Sequence, residues 1–267
     1  MAKTIDFTAK NVKPFSAWLK KFSSIEHSLL IEVDEENKCF TAKSYNEEKS
    51  VVKYSKISFE DAGFTLKKES KNPQFIKVGI YNIPRVIKSL DHFLSGEFSF
   101  SVQYEEVIDG ENKNLAGIAL LIKSPLLKVK IECTSLNIFK YISDEMFKDR
   151  IAQVDAITKF DLPNVTIEKI NSLCDLDKEY KFLEFLTRDE KVFLRGKSFE
   201  LDVASALTKE KSLLSIYKDQ FDKVDVESYE VHFGPEKLVF KSIDSDTITV
   251  TSMVVKDEKY EEDSMEF

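Results

Sequence analysis

The 267-residue chain contains 42% hydrophobic and 32% charged residues, which is typical of a globular protein. Its length allows two domains of ordinary size. The longest apolar runs fall well short of a membrane span, and residues 1–4 do not begin a signal peptide, so we expect a cytoplasmic protein.

The charge of the chain is unevenly distributed. A net charge of −8 argues against a nucleic-acid-binding protein. However, residues 10–24 contain four lysines and no acid, whereas residues 257–267 contain six acids and one lysine. This pattern is compatible with an acidic exterior and a basic inner face. The three cysteines, Cys39, Cys133 and Cys174, are isolated and fit a reducing compartment as buried apolar residues.

Four segments predict a strand that leads directly into a helix. In the first three, Asn11, Asn82 and Asp161 are suited to cap the helix, and a proline follows within the first turn. The fourth, residues 215–224, lacks a proline and predicts only a short helix. Apolar residues at helical spacing mark the buried faces of the first two helices: Val12, Phe15, Trp18, Leu19 and Phe22, then Ile83, Val86, Ile87, Leu90, Phe93 and Leu94.

Short predicted strands, joined by polar turns, fill the intervals between the helices and favour antiparallel sheets. They cover residues 28–33, 39–44, 51–57 and 63–67, then 97–107, 116–123 and 126–133, then 180–186, 191–195 and 198–203, and finally 229–233, 238–243 and 247–255. The result is an α+β chain in which a β-α-β-β-β unit occurs four times, which indicates duplication. Chance is the alternative, since a cap followed by a proline starts many helices.

The repeats predict an N-terminal domain over 1–134, a connector over 135–155, a C-terminal domain over 156–256 and an acidic tail over 257–267. The connector has apolar residues without a period of 2 or 3.6, and a connector of this length is usually functional or mobile.

The sequence offers no positive support for an enzyme. Residues 195–198, Arg-Gly-Lys-Ser, resemble the end of a phosphate-binding loop, but position 191 is lysine where that loop needs glycine. We therefore predict a hairpin turn there. None of the three histidines has metal-ligand spacing, and no serine lies in a nucleophile elbow. We predict no catalytic residue, no metal site and no cofactor.

Basic residues opposite the buried helix faces are the better functional indication. On the first two helices they form one side of each helix, whereas on the third and fourth they are mixed with acids. A solvated surface is the alternative explanation for such charges. The candidate binding residues on the four helices are Lys10, Lys13, Lys20, Lys21, Arg85, Lys88, His92, Lys169, Lys218 and Lys223.

Four such units in two halves, with a connector and outward lysines, resemble the DNA sliding clamps, the family that includes PCNA. The entry into the second helix at residues 78–84, the start of the second half at 156–173 and the ending at 229–255 with its acidic tail are most similar to the T-even phage branch. The resemblance covers nearly the whole chain as a pattern of units. The weakly basic second half departs from the pattern expected of the family.

The resemblance implies a homotrimeric ring of six domains, with sheets outside and helices around a channel. It implies duplex DNA, a bacteriophage DNA polymerase and an ATP-dependent clamp loader as partners. It also suggests a partner-binding groove between the connector and the last strand, although these residues could equally pack the connector onto the sheets. The candidates are Ile138, Phe139, Tyr141, Ile142, Met253 and Val255. A β-rich viral structural or assembly protein is the competing interpretation.

Overall fold

The computed structural model describes residues 3–68, 70–93, 96–109, 112–177, 180–206 and 211–254. The chain forms two compact units. The first comprises Met1–Ser44 and Tyr54–Ile142, and the second comprises Tyr45–Lys53 and Ser143–Phe267. The predicted connector is therefore divided between the units after Ile142, and the predicted acidic tail lies outside the described residues, as do Leu94 and Val255.

The first unit contains two successive β-α-β-β-β repeats, with one additional short strand. The first repeat and its extra strand are β1 (Lys3–Ala9), α1 (Lys13–Ser23), β2 (Leu29–Asp34), β3 (Cys39–Tyr45), β4 (Val51–Ser58) and β5 (Phe64–Leu66). The second is β6 (Phe75–Ile80), α2 (Ile83–Leu90), β7 (Phe98–Asp109), β8 (Asn112–Lys123) and β9 (Lys128–Glu132). A 3-10 turn, Asp91–Phe93, extends α2.

The second unit repeats this plan after a helical turn in the connector, α3 (Asp144–Met146), which continues as a π-helical turn over Phe147–Ile151. The third repeat is β10 (Thr158–Leu162), α4 (Asn164–Cys174), β11 (Phe182–Arg188), β12 (Lys191–Arg195) and β13 (Glu200–Ser205). The fourth is β14 (Ser212–Tyr217), α5 (Lys218–Phe221), β15 (Tyr229–Phe233), β16 (Lys237–Ser242) and β17 (Asp246–Ser252). The prediction of an α+β fold with four such repeats is confirmed.

Antiparallel pairing dominates both units. In the first unit, to which β4 belongs from Tyr54 onward, the strand order is β4-β3-β2-β6-β8-β7-β1-β5, with β9 on the edge of β8. The short contact between β6 and β8 is parallel. In the second unit the orders are β10-β15-β16-β17 and β13-β12-β11-β14. Each unit buries its own apolar core between sheets and helices, as the alternation of buried and exposed strand residues requires.

Local signals explain most helix boundaries, with two corrections. The predicted cap at Asn11 is displaced by one residue: Val12 occupies the N-cap position of α1, and Asn11 before it accepts the N–H of Lys13 on its Oδ1 at 3.0 Å. Asn82 caps α2, since its Oδ1 accepts the N–H of Arg85 at 2.8 Å. The predicted cap at Asp161 is wrong: Asp161 pairs with Glu230 in the ladder between β10 and β15, and α4 begins only after Pro163. The alternation of buried Phe160 and Leu162 holds this segment in the strand.

Two other sequence features have simple positions. Residues 196–199 turn between β12 and β13, which confirms the predicted hairpin. Cys39 is buried, whereas Cys133 and Cys174 are only half-buried, and all three are free thiols. Among the described residues, the helices are all too short or too polar to cross a membrane.

Candidate nucleic-acid and partner interfaces

Helix α1 presents lysines to solvent because its other side is fully used by the core. Phe15, Trp18 and Phe22 are buried, and the indole Nε1 of Trp18 donates a hydrogen bond to Ser55 Oγ at 3.0 Å. This bond fixes the rotation of the helix about its axis. The opposite side is solvent-facing, and Lys10, Lys13 and Lys20 are exposed there while Lys21 is half-buried.

Helix α2 packs beside α1 and repeats the arrangement. Ile83, Val86, Ile87, Leu90 and Phe93 are buried, which matches the predicted face. Arg85 and Lys88 on the helix and His92 on the following turn are exposed, together with the acidic Asp91. We call the exposed residues Lys10, Lys13, Lys20, Arg85, Lys88 and His92 the basic surface of the first unit.

The helices of the second unit do not form a comparable surface. Lys218 is half-buried and its Nζ donates to the carbonyl of Cys174 at 3.2 Å. Lys223 is also half-buried and donates to the carbonyl of Asp219 at 2.8 Å, with the Asp219 carboxylate 3.5 Å away. Lys169 is exposed but follows the exposed Glu168. Two of the three predicted cations, Lys218 and Lys223, therefore donate hydrogen bonds to backbone carbonyls of the same unit.

Acidic residues further weaken the basic character of this second helical surface. Asp219 and Asp222 have solvent-exposed side chains around α5, next to Lys218 and Lys223. Partial desolvation of the Asp222 carboxyl, followed by the charge of Asp219, raises its pKa. The second unit thus contributes less positive potential than the first.

The first half of the connector is attached to the first unit's sheet on the side that faces away from the helices and the apolar core. Thr134 donates its N–H to the carbonyl of Gly79 on β6 at 2.9 Å. The ring of Phe139 then covers Gly79 so closely that a Cβ at position 79 would lie 2.7 Å from Phe139 Cε2. Phe139 is therefore used for packing, while Ile138 next to it remains 57% exposed.

Tyr141 adds cation–π contacts with two lysines to this attachment. Lys77 Nζ lies 3.7 Å from the centre of the Tyr141 ring and Lys43 Nζ lies 5.6 Å from it, which places both ammonium groups within cation–π range. Lys43 also forms a buried ion pair with Glu32 at 3.0 Å. Ile142, the last residue of this half, is half-buried.

The second half of the connector is attached to the second unit. Phe147 is fully buried, and Lys237 Nζ donates to the carbonyl of Ile151 at 2.8 Å. Val154 lies over Gly234, where any Cβ would be 2.1 Å from Val154 Cγ2. These contacts give the segment one defined path.

The predicted partner-binding residues therefore occupy separate places. Ile138, Phe139, Tyr141 and Ile142 belong to the first unit. Met253 belongs to the second, where its N–H donates to the carbonyl of Glu236 at 2.7 Å and its side chain is 38% exposed. Val255 lies outside the described residues. Their grouping into one groove stays a prediction.

Sequence reasoning missed the residues that hold the connector. Alternation along β6 places Lys77 and Gly79 on the side opposite the buried Ile76 and Val78, and this signal was readable in the sequence. What the sequence could not show was that Phe139 and Tyr141 cover these two positions, because the connector has no period from which to assign a face. No cluster of possible metal ligands occurs in the parts of the chain that the structure describes.

The arrangement of repeats can be compared with solved structures. The chain matches A. fulgidus PCNA bound to the C-terminal region of FEN-1 with a TM-score of 0.61 over 95% of this chain and 100% of that one, at 11% identity. The fold is that of the DNA sliding clamps. PCNA from Entamoeba histolytica gives a TM-score of 0.62 at 10% identity, over 95% and 99% of the two chains.

Bacterial clamps share the same fold. The Helicobacter pylori beta clamp bound to a DNA ligase peptide matches with a TM-score of 0.63 at 9% identity, and the alignment covers 96% of this chain and 67% of that one. The chain therefore spans nearly all of the PCNA chains but only about two thirds of this bacterial clamp. No protein-family model and no curated protein sequence matches this sequence.

Proposed function

We propose that the protein is a sliding clamp, a processivity factor that closes as a ring of three copies around duplex DNA and tethers a replicative polymerase. The single observation that carries the proposal is the basic surface on α1 and α2 within a clamp fold. We propose no catalytic role, and neither a metal nor a cofactor is required. A bacteriophage setting for polymerase and loader belongs to the same proposal, as does cytoplasmic location.

The basic surface is suited to the phosphate backbone and carries no means of reading bases. Its lysines and Arg85 are exposed, long and separated, so they can follow phosphates without a fixed register. Binding of this kind releases counterions and weakens steeply with salt. Lys169, Lys218 and Lys223 remain part of the proposal, but their local pairing predicts a smaller contribution.

The proposed ring needs contacts between copies, and two edge strands are suited to provide them. Among the described strands, β9 pairs only with β8 and β13 pairs only with β12. Strand β9 alternates exposed residues with the half-buried Val129 and Ile131, and β13 contributes the half-buried Leu201, Val203 and Ala204. An unpaired edge is a template for a strand from another copy. Repeated head-to-tail pairing of β9 with β13 closes a ring when the rotation permits.

We propose that partners bind near the connector through peptide segments. The A. fulgidus structure holds the C-terminal region of FEN-1, and a Helicobacter pylori structure holds a DNA ligase peptide. Here Ile138 offers an exposed aliphatic side chain, and Met253 is partly exposed in the second unit. By analogy, the tail of a polymerase or clamp loader would anchor apolar side chains on such residues. The boundaries 1–134, 135–155, 156–256 and 257–267 are retained in this proposal.

The proposal can be tested with the cognate polymerase and loader on a primed circular template. Addition of the protein and ATP should lengthen the products of single binding events. An Ile138→Ser variant should lose part of this effect while keeping its mass in solution, because Ile138 is exposed and contributes little to packing. Product length that does not change on adding wild-type protein would contradict the proposed function.

A further inference from the structure

The first unit contains a cleft of about 420 Å³ beside the start of β1 and the loop that joins β5 to β6. Hydrogen bonds fix this loop at both ends. Lys67 donates its N–H to the carbonyl of Asp6 on β1 at 2.9 Å. At the other end, Glu35 donates its N–H to the carbonyl of Gln74 at 3.0 Å, and the N–H of Gln74 donates to Glu35 Oε2 at 2.9 Å. The walls of the cleft are therefore formed without a ligand.

The rim of this cleft is basic. Asp6 also lines it, but its carboxylate already accepts hydrogen bonds from the hydroxyls of Thr4 and Ser101. The sequence places one further acid, Glu69, in the loop, and that residue lies outside the described ones. Cations of one sign around an opening attract a ligand with several negative charges. Four exposed lysines line the cleft: Lys3, Lys67, Lys68 and Lys71.

The floor of the cleft has a different character, because its residues are buried. Tyr104 is 5% exposed and Glu35 is 7% exposed, and the buried Ile5 lies with them. Burial, followed by the charge of Glu35, raises the pKa of Tyr104, so its hydroxyl keeps its proton and can donate a hydrogen bond. None of the described residues provides a hydrogen-bond partner for this hydroxyl. A buried polar group without a partner is costly, and a ligand atom in the cleft would supply one.

The rim and the floor favour different parts of one ligand. An anion that filled the whole cleft would bring negative charge against the carboxylate of Glu35. A ligand that suits both places has phosphates at one end and hydroxyl or N–H donors at the other. Nucleotides have this arrangement, and acidic side chains accept hydrogen bonds from ribose hydroxyls in known nucleotide sites. The volume of the cleft also lies within the range of small-molecule sites.

We propose that this cleft binds a nucleotide, with its phosphates at the rim lysines and its sugar hydroxyls at Glu35 and Tyr104. The proposal goes beyond the clamp function and does not depend on it, because one unit of one chain builds the cleft. Neither the basic surface nor Ile138 takes part in it.

The test is isothermal titration calorimetry of the full-length protein with ATP, without magnesium, so that the triphosphate keeps its full charge. Wild type should bind ATP more tightly than adenosine. A Lys67→Gln, Lys71→Gln double variant should bind ATP roughly fivefold more weakly, which corresponds to the loss of two exposed charge pairs. The matched control, Lys197→Gln with Lys211→Gln, removes two exposed lysines of the second unit and should bind ATP as wild type does.

Two further variants examine the floor. Tyr104→Phe removes only the hydroxyl and should weaken ATP binding roughly threefold to tenfold, the usual effect of one hydrogen bond, with unchanged urea unfolding. Glu35→Gln keeps an acceptor oxygen for Gln74 but removes the charge. It should strengthen the binding of inorganic tripolyphosphate without strengthening that of ATP, so that the ratio of ATP affinity to tripolyphosphate affinity falls roughly threefold.

Several outcomes would overturn the proposal. Equal losses in the two lysine double variants would mean that binding follows net charge and not the cleft. An equal gain for ATP and tripolyphosphate in Glu35→Gln would make the cleft a simple anion site. Ribose 5-phosphate that binds as tightly as ATP would assign it to sugar phosphates. A single-stranded oligonucleotide that binds more tightly than ATP, with this preference lost in Tyr104→Phe, would assign it to nucleic acid.

Discussion

The ring of Phe139 lies directly over Gly79, so that the connector and strand β6 approach more closely than any side chain at position 79 would allow. An added Cβ would lie 2.6 Å from the carbonyl oxygen of Thr134 and 2.7 Å from Phe139 Cε2. Both distances are too short for real contacts, and the carbonyl belongs to the backbone. The absence of a side chain at this strand position is therefore what lets the first half of the connector attach.

We expect Gly79→Ala to destabilise the first unit by about 1–3 kcal/mol, as overpacking does in a close-packed region. The connector near Thr134 and Phe139 should also become more sensitive to proteolysis. Urea unfolding and limited proteolysis measure the two effects. The double variant with Phe139→Ala should recover only part of the stability, because the carbonyl of Thr134 remains in place. Wild-type stability in Gly79→Ala would contradict the described packing.

The basic surface makes a prediction about salt-dependent DNA binding. A triple variant, Lys13→Gln, Lys20→Gln and Lys88→Gln, should bind duplex DNA more weakly and reduce the slope of log affinity against log salt by about 2 to 3. The matched control replaces Lys71, Lys197 and Lys211, which are exposed elsewhere, by glutamine. If both triple variants lose the same affinity, the effect comes from net charge and the two helices do not form the DNA surface.

For the buried ion pair between Lys53 and Asp225, we predict that removing either partner lowers the free energy of unfolding by a different amount. Lys53 Nζ lies 2.9 Å from Asp225 Oδ2, and the lysine side chain is 0% exposed, whereas the aspartate is 20% exposed. Asp225→Asn should cost about 3–5 kcal/mol, because it leaves a buried ammonium without its carboxylate. Lys53→Met should cost less, about 1–3 kcal/mol, because Asp225 keeps some contact with water. Chemical denaturation that gives the reverse order would contradict this assignment.

The contact between Glu230 and His232 predicts a pH-dependent contribution of Glu230 to stability. The hydrogen bond from His232 holds the pKa of Glu230 below its ordinary value of 4.5, with Lys159 and Lys241 adding to the effect. A carboxyl whose pKa is lowered by folding stabilises the native state above the unfolded pKa, and this contribution is lost as the pH falls through the folded pKa. In His232→Leu, NMR titration should show the Glu230 pKa moving upward. An unchanged titration would exclude His232 as the main cause.

The sequence was sufficient to predict those elements whose signals lie in neighbouring residues. Asn82 followed by Pro84, with apolar residues at helical spacing, correctly placed α2 and its basic side, and the repeated strands established the four-unit fold. It failed at Asp161, where the alternation of Phe160 and Leu162 extends the strand through the apparent cap.

The remaining features depend on tertiary contacts that a linear pattern does not contain. Lys218 and Lys223 are ordinary cations in the sequence, and only the fold brings backbone carbonyls to their ammonium groups. Likewise, Lys159 and Lys241 are 82 positions apart in the sequence, and the sheet brings them near each other by pairing Lys159 with His232 and Lys241 with Glu230 on β15. For the connector, the apolar content indicated burial, but Tyr141 could be assigned to Lys77 only once the path of the chain was known.

The central claim, a closed ring around DNA, is tested most directly by topological retention without a loader. The protein is incubated with linear duplex DNA anchored to beads at one end, so that rings can thread over the free end. That end carries biotin and is then blocked with streptavidin, and the beads are washed at high salt, which removes contacts made only through phosphates. We predict that protein stays on blocked DNA and leaves unblocked DNA. Equal loss from both would contradict the ring.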